Sequence, residues 1–276
     1  MTTPDDAVAS PCVPPRVAQL HGLFGSLSNF NTTGRRLSAD GKRTVVLADL
    51  RNHGASPWSD DCSITSMAAD VLDLLDTLGA REAVLCGHSL GGKVAMAASL
   101  LAPERVSRLV VVDIAPVTYA AATHEAWRAN LSIMDAMAAL PESALGSRPD
   151  ADAALAAAGV GEPGVRAFLL QNLLLDERRW RLNLHTLRDA AYRGDYAGFP
   201  DELPPAPPTL PVEVIAGARS EYCTLPEHRQ AIERLFPAAA ARPGGTRLLD
   251  AGHWVHAEKP NEFVALVDAF CAEGEV

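Results

Sequence analysis

Short apolar runs alternate with helix-like segments along most of the chain, and this alternation constrains the possible folds more than any other feature. Helical spacing of apolar residues is clear in the segment 66–78, which Gly79 closes. Strands that alternate with helices of this length indicate crossover connections and a parallel sheet that is buried on both faces. The sequence therefore predicts an α/β fold with a mostly parallel sheet and helices on both faces. The strand-like runs in the first part of the chain are VAQL at 17–20, TVVLA at 44–48, AVLC at 83–86 and RLVVV at 108–112.

The alternation stops after Pro116 and resumes only later in the chain. The segment 117–205 is rich in Ala and Leu, is predicted to form several helices, and ends in a Pro-rich stretch. We therefore expect one domain in two parts, 17–116 and 206–276, with a helical cap inserted at 117–205. Residues 1–16, rich in Pro and small side chains, are predicted to be a disordered leader. The elements expected after the insertion are a strand at 211–217, a helix near 227–235, a strand at 246–250 and a helix near 260–271.

Composition narrows the possible partners and compartments. The net charge of -10 argues against nucleic acid and anionic membrane surfaces, which attract basic patches. Five cysteines lie far apart without a C-x-x-C pair, which indicates reduced structural thiols and neither a disulfide framework nor a zinc site. No run approaches the roughly 18 apolar residues of a membrane span, and no signal or transit peptide is evident. We expect a soluble protein of the cytoplasm or an organellar matrix, a monomer or small homo-oligomer, that needs no metal or organic cofactor.

The sequence CGHSLGG at 86–92 places a serine between glycines where the run at 83–86 ends and a helix-like stretch begins. This strand-turn-helix setting is typical of a nucleophile elbow, in which a strained turn exposes the serine hydroxyl. The start of the helix also points unpaired backbone N–H groups at the serine. Ser89 is therefore the candidate nucleophile, and the N–H of Leu90 is a candidate donor to an oxyanion.

An acyl-transfer site needs a second oxyanion donor as well. The segment HGLFGS at 21–26 follows the first strand-like run, which is where a donor loop lies in such a fold. The N–H of Leu23 is the candidate donor, paired with that of Leu90. A turn of this type after a strand is as often purely structural, so the prediction for Leu23 depends on Ser89.

The general base should be a histidine on a loop after the last strand. His253, in the sequence GHW after TRLLD, has that position. Three other histidines have structural interpretations: His256 as a hydrogen-bonding residue of a loop or helix start, His88 as a ring packed under the elbow, and His53 as a surface turn residue.

Two carboxylates compete for the role of triad acid. Asp113 ends the run at 108–112, at the carboxyl edge of the sheet where ligands bind in open α/β folds, and it keeps the chain order Ser, Asp, His. It could instead only cap the turn before Pro116. Glu221 is the alternative acid, because the loop after the strand at 211–217 contains no aspartate.

Five segments together resemble the α/β-hydrolase superfamily, and more narrowly a small esterase subfamily that includes the bacterial YbfF-type esterases and the animal α/β-hydrolase-domain protein eleven. The resemblance runs from about residue 17 to 270, and WRLNL at 180–184 also matches a cap motif of the subfamily. It implies a serine carboxylester hydrolase with a helical cap and with its acid in the VDIAPV segment, where Asp113 lies. It also implies that two N-terminal strands usual in the subfamily are missing, which would leave 44–48 as an open edge. The segments are VAQLHGLFGSLSNF, ADLRNHGASP, CGHSLGGKVAM, VVVDIAPV and AGHWVHAEKP.

The combined prediction is a hydrolase with a Ser89, His253 and Asp113 triad. Its expected substrate is a small to medium acyl ester, a thioester or a lipid-like ester, cleaved through an acyl-enzyme. One alternative is carbon-carbon bond hydrolysis on the same triad. Another is a non-catalytic ligand-binding protein of the same fold, which the complete triad disfavours because binding alone does not require all three residues.

Overall fold

The computed structural model describes residues 16–242 and 245–273. In that part of the chain, six parallel strands form one sheet in the order β2-β1-β3-β4-β7-β8, and β5 pairs with β6 in a separate antiparallel ribbon. Residues 1–15 of the predicted leader lie outside the described residues. The strands are β1 (Arg16–Leu20), β2 (Thr44–Ala48), β3 (Ala83–His88), β4 (Val106–Val112), β5 (Leu173–Leu174), β6 (Arg179–Trp180), β7 (Val212–Gly217) and β8 (Arg247–Leu249).

The helices complete the α/β arrangement that the alternating sequence pattern predicts. None of them, among the residues described, is long and apolar enough to cross a bilayer. The segment 117–205 carries four helices and the short ribbon, as its composition indicates. The helices are α1 (Asn31–Leu37), α2 (Ile64–Thr77), α3 (Leu90–Leu101), α4 (Glu125–Ala139), α5 (Arg148–Ala157), α6 (Pro163–Leu169), α7 (Leu184–Arg193), α8 (Pro226–Leu235), α9 (Pro237–Ala241), α10 (Val255–Glu258) and α11 (Pro260–Ala272).

The central strands are buried on both faces, so that successive residues of one strand enter different cores. In β4, Leu109 and Val111 join the core that contains α2 and α3, whereas Val110 and Val112 join the core that contains α1 and α11. Each such side chain contributes about 1.5–3 kcal/mol by its burial. Two apolar cores therefore hold the sheet rigidly between two helix layers, and the ends of β3 and β4 are fixed with it.

Element boundaries differ from the predicted ones by a few residues, for local reasons. Helix α2 begins at Ile64, because the side chain of Ser63 accepts a hydrogen bond from the N–H of Ser66 and caps the helix. Strand β3 continues to His88, so that the helix α3 starts immediately after Ser89. Within the described residues, strand β2 pairs with β1 alone.

Candidate active site

Ser89 is held in a strained turn between β3 and α3. Its backbone has φ 52° and ψ -117°, a conformation that residues other than glycine rarely adopt. The neighbouring backbone is packed so closely that a side chain at Gly87 would collide with the carbonyl of Gly91, and one at Gly91 with the carbonyl of Leu20. The glycines therefore permit a tight turn that presents the serine side chain at the carboxyl edge of the sheet.

Asp113 lies at the end of β4 and is fully buried, also with a positive φ of 53°. Its Oδ1 accepts a hydrogen bond from the N–H of Gly217 at 2.9 Å. Its Oδ2 accepts one from the hydroxyl of Ser220 and one from Nδ1 of His253 at 2.6 Å. Three donors satisfy the carboxylate and fix its orientation, so burial does not leave it uncompensated.

The ring of His253 is partly exposed, unlike the carboxylate that it contacts. The side chain of His253 is 22% exposed, whereas that of Asp113 is 0% exposed. Because Nδ1 donates to Asp113, the neutral imidazole has its lone pair on Nε2, which is the form a general base needs. The ring also packs against Tyr222, with centroids 4.2 Å apart. The backbone of His253 is held in addition, because its carbonyl accepts a hydrogen bond from Nε2 of His88 at 2.8 Å.

The segment 21–26 is fixed from below by His21. Nε2 of His21 accepts from the N–H of Leu50 at 3.1 Å, so Nδ1 carries the proton and donates to the carbonyl of Gly22 at 2.8 Å. Burial lowers the pKa of His21 to about 4, which keeps the ring neutral. The N–H of Leu23 belongs to the same planar peptide unit as the Gly22 carbonyl and points the opposite way. The direction of the candidate donor is therefore set by His21.

Two cavities meet at Ser89. One of about 210 Å³ is lined by Ser89, His253 and mainly apolar side chains of α4 and α6, among them Ile133 and Phe168. The other, of about 20 Å³, is lined by Ser89 together with Leu23, Leu90, Lys93 and Trp127. A larger groove of about 620 Å³ between β2 and α2 contains neither Ser89 nor His253 and is separate from this site.

Lys93 is a buried cation that the sequence analysis did not single out. Its Nζ donates to the carbonyls of Val117, Ala197 and Gly198 at 2.9, 2.5 and 2.9 Å. These carbonyls lie near the two ends of the segment 117–205, so one lysine on α3 ties both ends to the core. Burial lowers the pKa of Lys93 to about 7, while the three carbonyls favour the ammonium form. A lysine in the otherwise apolar sequence of α3 is the signal that could have identified it.

The structure places the other predicted candidates as follows. Glu221 has an exposed side chain, and it is Asp113 that contacts His253. His88 is buried under the elbow, as expected. His256 lies in the short helix α10 and is buried, and its Nδ1 has no hydrogen-bond partner among the described residues.

The prediction for His53 is wrong: its ring is fully buried against that of His21, with Nδ1 at 2.9 Å from the carbonyl of Arg51. The sequence RNHG resembles a surface turn, but the turn folds back against the segment 21–26. Within residues 16–242 and 245–273, no group of three or more potential ligands is arranged to hold a metal ion.

Comparisons with known proteins show the family of the chain. The family model of the alpha/beta hydrolase fold matches residues 15–260. A mouse (Mus musculus) protein, sn-1-specific diacylglycerol lipase ABHD11, is 41% identical over 262 residues, which cover 94% of this chain and 81% of that protein. Esterase YbfF of Escherichia coli (strain K12) is 36% identical over 89% of this chain and 88% of its own length. The solved structure of a marine microorganism esterase superposes with a TM-score of 0.83 at 27% identity, over 93% of this chain and 95% of that one. The chain belongs to the α/β-hydrolase family, and its similarity to these relatives makes it a carboxylester hydrolase of the ABHD11/YbfF type.

Proposed function

We propose that this protein hydrolyses small to medium carboxylic esters through Ser89, His253 and Asp113, by way of an acyl-enzyme. The observation that carries the proposal is the bond of 2.6 Å between His253 Nδ1 and the buried carboxylate of Asp113, in a site where His253 and Ser89 line one apolar cavity. A buried acid that orients a partly exposed imidazole, in a cavity that the imidazole shares with a strained serine, supports a hydrolytic triad.

In the proposed reaction, the hydroxyl of Ser89 attacks the ester carbon while Nε2 of His253 accepts its proton. The imidazolium that forms is stabilised by the carboxylate of Asp113. His253 then gives the proton to the leaving alcohol as the tetrahedral intermediate collapses to the acyl-enzyme. Water, deprotonated by the same imidazole, releases the acid and restores Ser89.

The negative oxygen of the tetrahedral intermediate would be stabilised by the backbone N–H groups of Leu23 and Leu90. Leu90 is the first residue of α3, where the N–H groups lack partners within the helix and the helix dipole favours negative charge. The peptide of Leu23 is oriented through the bond from His21 to Gly22. Both donors are fixed before the substrate binds, which is what makes such a site effective.

The segment 117–205 is proposed to act as the cap of this site. Its helices α4 and α6 supply Ile133, Val165 and Phe168 to the wall of the larger cavity. An apolar wall excludes water and strengthens the electrostatic interactions of the triad. A volume of about 210 Å³ is below the usual range for drug-sized ligands, roughly 300–1,000 Å³, and supports a small or medium ester.

Labelling with a fluorophosphonate tests this proposal. Intact-mass analysis should show a single adduct, which peptide mapping places on Ser89. The Ser89→Ala variant should show no adduct and should lose the hydrolysis of an activated ester by at least about 10³-fold. Ser132→Ala, at an exposed position of α4, is the matched control and should label and turn over like the unmodified protein. An adduct that persists in Ser89→Ala would refute the assignment.

A further inference from the structure

The ring of His253 needs more than one contact to keep its orientation. The hydrogen bond of 2.6 Å from Nδ1 to Asp113 fixes one atom of the imidazole. A ring that is held at one atom can still tilt about that bond, because hydrogen bonds tolerate a range of angles. Tilting moves Nε2, the atom that would accept the proton of Ser89. The faces of the ring must therefore be supported by packing.

Two aromatic rings lie against the ring of His253. The ring of Tyr222 has its centroid 4.2 Å away, at an interplanar angle of 32°, and that of His88 has its centroid 4.6 Å away. The ring of His88 is fixed by its own hydrogen bond to the carbonyl of His253. Tyr222 lines both cavities at Ser89, so its ring borders the space that the substrate would occupy. The orientation of His253 therefore depends on what holds Tyr222.

Tyr222 is held at its backbone and at its hydroxyl. Its N–H donates to Oγ of Ser220 at 3.3 Å, and its carbonyl accepts from the hydroxyl of Tyr119 at 2.6 Å. Burial raises the pKa of Tyr222, so its own hydroxyl stays neutral. Nδ2 of Asn130 donates to that hydroxyl at 3.0 Å and is its one hydrogen-bond partner among the residues that the structure describes. Without Asn130, the outer end of the ring would be held by packing alone.

Asn130 is a polar residue in a mainly apolar wall. It lies on α4 and is the only amide among the α4 side chains that line the two cavities. An amide that leaves water needs a hydrogen-bond partner to offset its desolvation, and the partner of Asn130 is Tyr222. The other α4 side chains at the two cavities are Ala126, Trp127, Ala129 and Ile133.

We propose that Asn130 is a positioning residue for the base of the reaction. Through its hydrogen bond to Tyr222 it fixes the ring that supports His253, and it thereby keeps Nε2 directed at Ser89. The segment 117–205 would then act on proton transfer as well as on the shape of the cavity. This inference rests on the proposed function, because it takes His253 as the base.

A double-mutant cycle tests the path from Asn130 through Tyr222. Asn130→Ala and Tyr222→Phe each remove one partner of the hydrogen bond and keep the ring that packs against His253. Each should lower kcat for p-nitrophenyl butyrate by about three- to tenfold, the effect of one neutral hydrogen bond, and change KM by less than about twofold. The double variant should be within about twofold of the slower single variant, because both substitutions break the same bond.

The rate of labelling by diisopropyl fluorophosphate separates positioning from substrate binding. This reagent is small, and Ser89 displaces fluoride from it with His253 as the base. Both single variants should react about three- to tenfold more slowly than the unmodified protein. Ser132→Ala, at an exposed position of the same helix, is the matched control and should keep the kcat, KM and labelling rate of the unmodified protein. Circular dichroism verifies the folding of each variant.

Three results would overturn this inference and leave the proposed function intact. The first is full activity of Asn130→Ala, and the second is losses that multiply in the double variant. The third is a rise in KM at an unchanged labelling rate, which would mean that Asn130 and Tyr222 bind the ester directly. If the unmodified protein neither hydrolyses the ester nor labels on Ser89, the proposed function itself fails.

Discussion

The site has two walls that are held in place differently. The sheet provides one of them, and the segment 117–205 provides the other. On the sheet side, the carboxylate of Asp113 accepts hydrogen bonds from His253, from the N–H of Gly217 and from the hydroxyl of Ser220. On the side of the segment, α4 and α6 present mainly apolar side chains to the cavity, together with Asn130, whose Nδ2 donates to the hydroxyl of Tyr222 at 3.0 Å. We call these the sheet wall and the helical wall.

Polar contacts at several points join the two walls. The ammonium of Lys93 binds carbonyls near both ends of the helical wall. The side chain of Asn172 donates to the carbonyl of Phe24 at 2.7 Å, next to the candidate oxyanion donor Leu23. Asn183 donates to the side chain of Asn52 at 3.0 Å. The side chains that line the cavity can therefore vary while Asn172, Asn183 and the carbonyls bound by Lys93 keep the segment attached.

The difference suggests a division of roles. The groups that would move protons and stabilise charge lie on the sheet wall. They stand at the ends of strands, where hydrogen bonds fix their orientation. The groups that would select the substrate lie on the helical wall, whose side chains at the cavity are mainly apolar. Substitutions on the sheet wall should then change turnover, and substitutions at the attachment of the helical wall should change stability and KM.

The largest expected effect is on the sheet wall, at Asp113. Asp113→Asn should lower turnover of an activated ester by about 10³–10⁴-fold, because the imidazole of His253 loses both its correct tautomer and its stabilising charge. Glu221→Gln is the matched control and should change turnover only a few-fold, since the side chain of Glu221 is exposed. Steady-state hydrolysis between pH 5 and 9 measures both, with circular dichroism to verify folding.

The reverse result would reassign the acid. If Glu221→Gln is inactive and Asp113→Asn retains most of its activity, the triad would consist of Ser89, His253 and Glu221. In that case the bond of 2.6 Å between His253 and Asp113 would serve to support the loop only.

The sheet wall was largely predictable from sequence, because its main residues follow directly on strands. Ser89 and Asp113 come directly after β3 and β4, and the carboxyl ends of parallel strands share one edge. Their supports were not predictable. The bond from Ser220 to Asp113 and the bond from His88 to the carbonyl of His253 join residues more than 100 positions apart, which local patterns do not relate.

The helical wall was predictable only as a set of helices. Composition predicts helices in the segment 117–205, but not which face of α4 meets the cavity, because the apolar residues of α4 serve both the cavity and the core. The role of Lys93 was missed for a different reason: its position in an apolar helix is visible in the sequence, but its partners Val117, Ala197 and Gly198 offer only backbone carbonyls, which no sequence pattern shows. Buried His53 shows that a turn-like sequence can still pack inside.

A smaller effect is expected where the two walls join. Lys93→Met keeps the length of the side chain but leaves carbonyls of Val117, Ala197 and Gly198 without their buried donor, which should lower the free energy of unfolding by about 3 kcal/mol. KM should rise more than kcat falls, and limited proteolysis should cleave first within 117–205. Lys42→Met is the control, because the side chain of Lys42 is 72% exposed. Unchanged stability and protease resistance in Lys93→Met would show that packing alone holds the helical wall.

The smallest expected effect is the loss of stability at acidic pH. It should again distinguish the walls, because neutral histidines are packed under the sheet wall. Burial, and then the nearby His253, lowers the pKa of His256 from 6.5 to about 3. Between these values the unfolded chain binds one more proton than the folded protein, so stability rises with pH and is lost as the pH falls from 6.5 towards 3.

The expected slope from His256 alone is about 1.4 kcal/mol per pH unit in that range. His256→Leu should remove this part of the slope, and because Nδ1 of His256 has no hydrogen-bond partner among the described residues, the substitution breaks no bond at that atom. Urea unfolding at pH 7, 6 and 5 measures the slope in each protein. His185→Leu, at an exposed position of α7 in the helical wall, should keep the slope of the unmodified protein. If His256→Leu and the unmodified protein lose stability equally between pH 6 and 5, protonation of His256 does not cause the loss of stability in acid.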